Sequence, residues 1–234
     1  MTDATQDPLR NHRRTLLYAS GLLAAMVLIF VAVGKHPGEP GTSTTWPPVG
    51  TFDGDVYRLV QEHRDAFLTW LAKALNVLGS GIVTIPLRIG VALYLAFRRR
   101  WRAFAGWVLT WIAAEVILTG AKAWFMRARP PAPLVVTNGY SFPSGHAVAG
   151  ASIAVALVLV AMPAGSRRRK WEVVAALAAF LMALSRVYLN AHWFSDVAAG
   201  VLLGTGVALA STALVTEIRE LTDARRSPPK RAGP

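Results

Sequence analysis

The chain of 234 residues contains no cysteine. That absence excludes a disulfide scaffold, a thiolate metal site and a thiol nucleophile. Charge is scarce as well: 16% of the residues are charged, whereas 53% are hydrophobic, too apolar a composition for a disordered chain. Acids are the scarcer sign, 13 Asp and Glu against 25 Lys and Arg, which leaves a formal charge of +12. A basic excess of that size ordinarily suggests nucleic acid. Here the cations fall in short clusters between long apolar runs, the distribution of a polytopic membrane protein, so the implied partner is a membrane and not a nucleic acid.

A bilayer core ~30 Å thick takes roughly 20 mostly apolar residues per helix. Six runs approach that length: 15–34, 82–97, 103–121, 146–163, 171–189 and 195–216. The second is short and interrupted by Pro86 and Arg88, and the third holds one acid, Glu115. All six are expected to be helices, because lipid gives a lone segment no other way to satisfy its own backbone. The expected fold class is therefore all-α, a bundle of six transmembrane helices. Arg10, Arg13 and Arg14 precede the first run, but the run is longer than a signal-peptide core and no A-x-A site follows, so it reads as an uncleaved anchor.

Orientation follows from the basic clusters. Sixteen Lys and Arg lie on the side that holds both termini and eight on the other, which puts both termini in the cytoplasm of a cell whose plasma membrane the chain spans. The expected division is a cytoplasmic tail at 1–14, a six-span domain at 15–217 and a disordered polar tail at 218–234. Residues 38–50, with three prolines, read as a loop. Residues 55–78 place apolar side chains at steps of three and four. They read either as an amphipathic helix on the outer leaflet or, in their C-terminal half, as an extension of the second span. Arg88 and Glu115 fall at ~15 and ~20 Å depth by helical rise. Either they pair within the bundle, or a tilted second span lets Arg88 reach water.

Three polar clusters interrupt this apolar background. Lys122 and Arg129-Pro130 close the third span, Pro143-Ser144-Gly145-His146 opens the fourth, and Ser185-Arg186, His192 and Asp196 bridge the fifth and sixth. Two spans separate the loops that carry them, so all three share one face, the extracytoplasmic one by the charge count. Lys122, Arg129 and Arg186 supply three cations, and guanidinium suits phosphate oxygens. Ser144 and Gly145 sit where a helix begins and its unpaired N–H groups can meet an anion. His192 and Asp196 are four residues apart, one helical turn, so the carboxylate can fix the tautomer that frees the other ring nitrogen as a nucleophile. His146 then remains as the acid for the leaving group. Each residue taken singly has a plainer reading: Lys122 and Arg186 as snorkelling charges, Arg129-Pro130 as a helix stop, Ser144 as an N-cap, Gly145 as a packing residue, His146 and His192 as structural, Asp196 as a first-turn acid. It is the joint spacing on one face that favours a site.

These three motifs, K-x6-RP at Lys122 to Pro130, PSGH at Pro143 to His146 and SR-x5-H-x3-D at Ser185 to Asp196, stand without departure from the signature of the type-2 phosphatidic acid phosphatase superfamily. The chain resembles the membrane lipid phosphate phosphatases of that family. The resemblance implies a six-helix bundle and removal of phosphate without metal or other cofactor, through a phosphohistidine. It implies that His192 is the nucleophile and Asp196 its orienting partner. His146 would protonate the leaving group and then activate water, while Lys122, Arg129, Ser144, Gly145 and Arg186 hold the phosphoryl oxygens. Pro143 would shape the turn, and Arg127, inside the first spacer, reads either as a helper of the site or, in preference, as a surface charge. The implied substrate is a lipid carrying a terminal phosphate or pyrophosphate: polyprenyl pyrophosphate, phosphatidylglycerol phosphate or phosphatidic acid.

The alternatives are a phosphotransferase of the same superfamily that uses a lipid or sugar hydroxyl in place of water, and a non-enzymatic lipid-binding membrane protein. A zinc hydrolase built on His146, His192 and Asp196 is disfavoured, because three nearby cations would repel the metal. A soluble vanadate haloperoxidase shares the motifs but not the apolar runs.

Overall fold

The computed structural model describes residues 8–34, 47–163 and 165–226. The described residues form eight helices and no strand: α1 (Pro8–Val33), α2 (Pro47–Glu62), α3 (Ala66–Leu78), α4 (Gly81–Phe97), α5 (Trp101–Phe125), α6 (Gly145–Ala161), α7 (Ser166–Tyr188) and α8 (Phe194–Arg226). Their outer faces are apolar: Ile82 and Phe97 are both 84% exposed, and Leu28, Val31, Val116, Val173 and Leu177 also point outward. So much exposed aliphatic surface has lipid as its natural solvent.

The all-helical expectation holds, but length narrows the count of spans. Among the described residues, three helices are long and apolar enough to cross a bilayer, over Trp101–Phe125, Ser166–Tyr188 and Phe194–Arg219. A fourth crossing arises if α3 and α4, bent by 42° at their junction, act as one broken span. Shorter apolar helical stretches occupy Leu17–Val33 and Gly145–Ala161 among the described residues.

Three local expectations change. Residues 55–78 are not one helix, because the Asp65 side chain accepts from the backbone N–H of Phe67 at 2.8 Å and of Leu68 at 3.0 Å and so starts α3 afresh. The apolar face of α2 is turned to protein as well: Val56 and Val60 pack on Ala147, Ala183, Val187 and Val197. Residues 47–50, expected in a loop, are the first turn of α2, opened by two prolines that have no N–H to lose there; 38–46 lie outside the described residues. Helix α8 runs nine residues into the stretch expected to be disordered, since nothing before Pro228 breaks it. Of the two tails, 1–7 and 227–234 lie outside the described residues, and 8–14 already belong to α1.

Helix α8 is the hub and packs against α1, α5, α6 and α7. Its Gly200 and Gly204, four apart, let α6 lie directly against it. A Cβ on Gly204 would sit 2.5 Å from the Val148 carbonyl oxygen, and one on Gly200 2.8 Å from that of Ser144. Without a hydrophobic drive between helices in lipid, close backbone approach of this kind supplies the packing energy. The irregular segment from 126 to 144 is anchored by Phe142, fully buried with its ring 4.9 Å from those of Phe30 and Phe125. The Phe142–Pro143 bond that follows is cis.

Arg88 and Glu115 pair, Nη1 to Oε1 at 2.5 Å, with Arg88 buried and Glu115 half exposed. The Trp111 ring lies 5.5 Å from the guanidinium carbon, and Trp107 Nε1 donates to the Arg88 carbonyl at 3.0 Å. Replacing Glu115 with Gln strands a buried cation. The expected cost is about 1–3 kcal/mol, below the range for fully buried pairs because Glu115 is half exposed, and it is readable as a lower Tm in detergent. The double change Arg88→Met with Glu115→Gln should recover most of that loss.

Candidate active site

The site forms where α5, α7, α6 and α8 end or begin, together with the 126–144 segment. Asp196 stands in the first turn of α8 and is fully buried. Its Oδ2 accepts the Trp193 backbone N–H at 2.9 Å and the Ser141 hydroxyl; its Oδ1 accepts Arg127 Nη1 at 2.6 Å. His192 precedes the helix instead of lying on it, so the expected one-turn stacking is replaced by a carboxylate that reaches back. The two still meet, with His192 Nδ1 3.5 Å from Asp196 Oδ2, at the long limit of a hydrogen bond. On the other side of the ring, Arg129 Nη1 lies 3.1 Å from Nε2. A guanidinium can only donate, so Nε2 must present its lone pair and the proton belongs on Nδ1, facing the carboxylate. Burial pushes the His192 ring down to about 3, against the pull of Asp196, so it is neutral near pH 7.

Arg129 is held by a fan of carbonyls: Ala191 at 2.6 Å, Asn138 at 2.8 Å and Gly139 at 2.9 Å. Lys122 donates to the Tyr140 carbonyl at 2.6 Å. Lys122 interacts electrostatically with Arg129, Arg186 and Asp196, and His146 with Arg186, Arg129 and Lys122. The structure thus brings together the charged and imidazole groups that the three motifs singled out. Ser144 has the backbone of an N-cap, but its side chain caps nothing. Its N–H donates to the Asp196 carbonyl at 3.0 Å, while its buried Oγ has no partner. Arg186 Nε is likewise buried without a partner. Gly145 opens α6, and a Cβ there would meet only Leu118, at 3.5 Å.

Four residues of the site escaped the sequence. Arg127 is not a surface charge: it is 4% exposed and bridges two buried carboxylates, Asp196 and Asp53, the latter through Nη2 at 2.7 Å. The reason is that the segment after α5 turns inward at Met126, whose φ is 44°, and carries the next side chain into the bundle. Burial disfavours the Arg127 charge, but Asp196 and Asp53 outweigh it and raise its pKa. Asp53, from α2, also accepts the Ser195 N–H at 2.9 Å and its hydroxyl at 2.6 Å. Ser141 bonds Asp196 as above. Asn76, in the last turn of α3, accepts Arg186 Nη1 at its side-chain oxygen, and its carbonyl accepts His146 Nε2 at 3.1 Å. One signal was available for each of two of them: Asn76 is one of three polar residues in the apolar run of α3, with Thr69 and Lys73, and Asp53 is one of few acids in the chain.

The PAP2 superfamily model matches residues 104–220, half of the chain. The chain belongs to the PAP2 superfamily. Over 167 residues this PAP2 protein is 31% identical to the undecaprenyl-diphosphatase of Sulfolobus acidocaldarius, covering 68% of this chain and 77% of that one. Over 148 residues it is 32% identical to phosphatidylglycerophosphatase B of Bacillus subtilis, covering 60% and 72%. Among solved structures, the first transmembrane PAP2-type phosphatidylglycerolphosphate phosphatase from Bacillus subtilis superposes with a TM-score of 0.69 over 91% of this chain and 98% of the other, at 21% identity. That likeness is one of fold. Aquifex aeolicus LpxE gives 0.57 over 68% and 94%, at 25% identity. The family segment holds all three motifs and Arg127 but leaves out Asp53 and Asn76.

Removing Arg127 leaves two carboxylates buried and unbalanced. Arg127→Ala is expected to cost about 3–5 kcal/mol of stability and most of the activity, while Ser195→Ala, which keeps the cation, costs far less; thermal unfolding beside a turnover assay checks both. A second expectation concerns pH. The folded pKa of His192 lies below the ordinary 6.5, so its stabilising contribution is complete above pH 6.5 and is lost as pH falls from there toward 3. Acidification from pH 7 to 4 should therefore lower the Tm of the wild-type chain by several degrees more than that of His192→Gln.

Proposed function

We propose that the chain is a membrane lipid-phosphate phosphatase that works through a phosphohistidine on His192. The observation that carries this reading is a neutral imidazole with its lone pair directed at a guanidinium, in a site where cations outnumber carboxylates and two buried polar atoms, Ser144 Oγ and Arg186 Nε, have no partner. Such a site is built for a tetrahedral anion. Lys122, Arg129, Arg186, Ser144 and the N–H of Gly145 hold the phosphoryl oxygens and stabilise the charge that shifts as transfer proceeds. His192 Nε2 attacks phosphorus, and the bond from phosphorus to the lipid oxygen breaks. Asp196 takes the strain of the new positive ring by accepting Nδ1–H. His146 gives the departing oxygen its proton, then removes one from the water that cleaves the phosphorus–nitrogen bond, so phosphate leaves and both rings are restored. The Asn76 carbonyl accepts from His146 Nε2 at 3.1 Å and so orients the ring.

The substrate is an amphiphile with a terminal phosphate or pyrophosphate. The relatives named for undecaprenyl diphosphate and phosphatidylglycerophosphate support polyprenyl pyrophosphate and phosphatidylglycerol phosphate, and phosphatidic acid rests on the motif resemblance alone. For topology, α1, α3 with α4, α5, α6, α7 and α8 make six crossings within residues 15–217 of the plasma membrane, with both termini cytoplasmic and the site at the outer surface. The Arg-rich turns at Arg98–Arg102 and Arg167–Lys170 support that orientation.

Phosphate release by the purified chain from these three lipids, with and without EDTA and vanadate, tests the proposal. Release is expected to survive EDTA, to be blocked by vanadate, and to fall about 10³-fold or more in His192→Ala. Acid-quenched wild-type enzyme should carry labelled phosphate that the variant lacks. Activity lost to EDTA and restored by zinc would overturn the mechanism, and transfer of label to an added lipid alcohol would reassign the chain as a phosphotransferase.

A further inference from the structure

Asn76 holds two groups of the site at once. It stands in the last turn of α3, outside the family segment 104–220. Its side-chain oxygen accepts from Arg186 Nη1, and its carbonyl accepts from His146 Nε2 at 3.1 Å. That carbonyl is available because α3 ends out of register. The N–H of Ser80, which regular winding would bring to Asn76, goes to Val77 at 3.1 Å, and that of Gly79 goes to Leu75 at 3.0 Å. The close approach also depends on Gly79. A Cβ there would lie 2.8 Å from His146 Cδ2, the ring carbon bonded to Nε2, and 2.8 Å from Met182 Sδ.

Both contacts have a fixed direction. A carbonyl only accepts, so His146 Nε2 carries a proton whether or not the ring is charged. The proton that comes and goes is then the one on Nδ1. A guanidinium only donates, and its Nε and Nη2 share one edge while Nη1 lies on the other. With Nη1 committed to Asn76, the Nε edge of Arg186 is left for a ligand. Arg186 Nε is buried without a partner among the described residues. Attachment of α3 to α7 does not need Asn76, because the far end of α3 has its own tie. Tyr188 Oη accepts the Asp65 N–H at 2.9 Å and lies 3.1 Å from Thr69 Oγ1.

We propose that Asn76 is a positioning residue of the reaction, whose carbonyl assigns proton transfer to His146 Nδ1 and whose side chain turns the Nε edge of Arg186 toward the phosphoryl group. The inference rests on the phosphohistidine reading above. In the first step the Nδ1 proton passes to the departing lipid oxygen as its bond to phosphorus breaks. In the second, Nδ1 takes a proton from the water whose oxygen bonds to phosphorus as the phosphorus–nitrogen bond breaks. Nε2–H stays on the Asn76 carbonyl throughout, so the ring does not turn between the steps.

The test uses the full chain in nanodiscs, with vanadate as the probe of the phosphoryl subsite. Asn76→Leu removes the side-chain oxygen and keeps the carbonyl, whereas Tyr188→Phe weakens the other tie of α3. Both should lower the Tm. Asn76→Leu is expected to weaken vanadate inhibition and kcat/KM about 10-fold or more, as for a lost hydrogen bond to a charged group, while Tyr188→Phe leaves vanadate inhibition unchanged. A second measurement needs no variant of Asn76. In 15N-histidine spectra, the signal lost in His146→Gln should report the Nε2–H tautomer at a pH where the ring is neutral, and Gly79→Val should disturb it. Vanadate inhibition unchanged in Asn76→Leu, or weakened equally in Tyr188→Phe, would overturn the proposal, as would an Nδ1–H tautomer. Wild-type enzyme that never carries phosphate on His192 would remove the phosphohistidine reading and this inference with it.

Discussion

Two carboxylates lie buried within reach of one guanidinium, and the site is organised around that contact. Asp196 must remain an acceptor for the His192 Nδ1–H if Nε2 is to present a lone pair. Asp53 must accept from Ser195 to fix the first turn of α8. Neither carboxylate is tolerable at that depth without a cation, and Arg127 serves both through separate nitrogens. The planar fork of arginine makes this possible, whereas a lysine ammonium would have to choose. Stability and chemistry thus share a single residue.

The contact is possible only because helix ends converge. Small residues set that convergence: Gly200 and Gly204 bring α6 against α8, so the start of α6, with Ser144 and His146, comes to rest beside the start of α8. Phe142, clamped between Phe30 and Phe125, pins the segment that delivers Arg127 and Ser141. Each device lies outside the chemistry yet sets where the reacting groups stand.

The groups of the three motifs were legible in the sequence because their spacing is set by helix geometry and chain order, both written locally. The pairing of Arg88 with Glu115 was legible as one of two outcomes, from depth along two spans. What was hidden depended on direction. Whether Arg127 faces water or the bundle turns on the left-handed backbone of Met126, which a residue other than glycine gives no sign of adopting. The split of 55–78 into α2 and α3 turned on a cap at Asp65 in a stretch that also carries an apolar period, and the period was the louder signal. The count of spans suffered in the same way: hydropathy marks the runs, but helix length and the bend between α3 and α4 depend on packing.

Asp53 and Arg127 are 74 positions apart, and only one of them falls within the segment 104–220. A graft of that segment into another scaffold would carry every signature residue and still arrive with Arg127 short of a counter-ion. Chimeras between relatives should therefore exchange α2 and the later half of the chain as a matched set. The inherited unit is wider than the motif that advertises it.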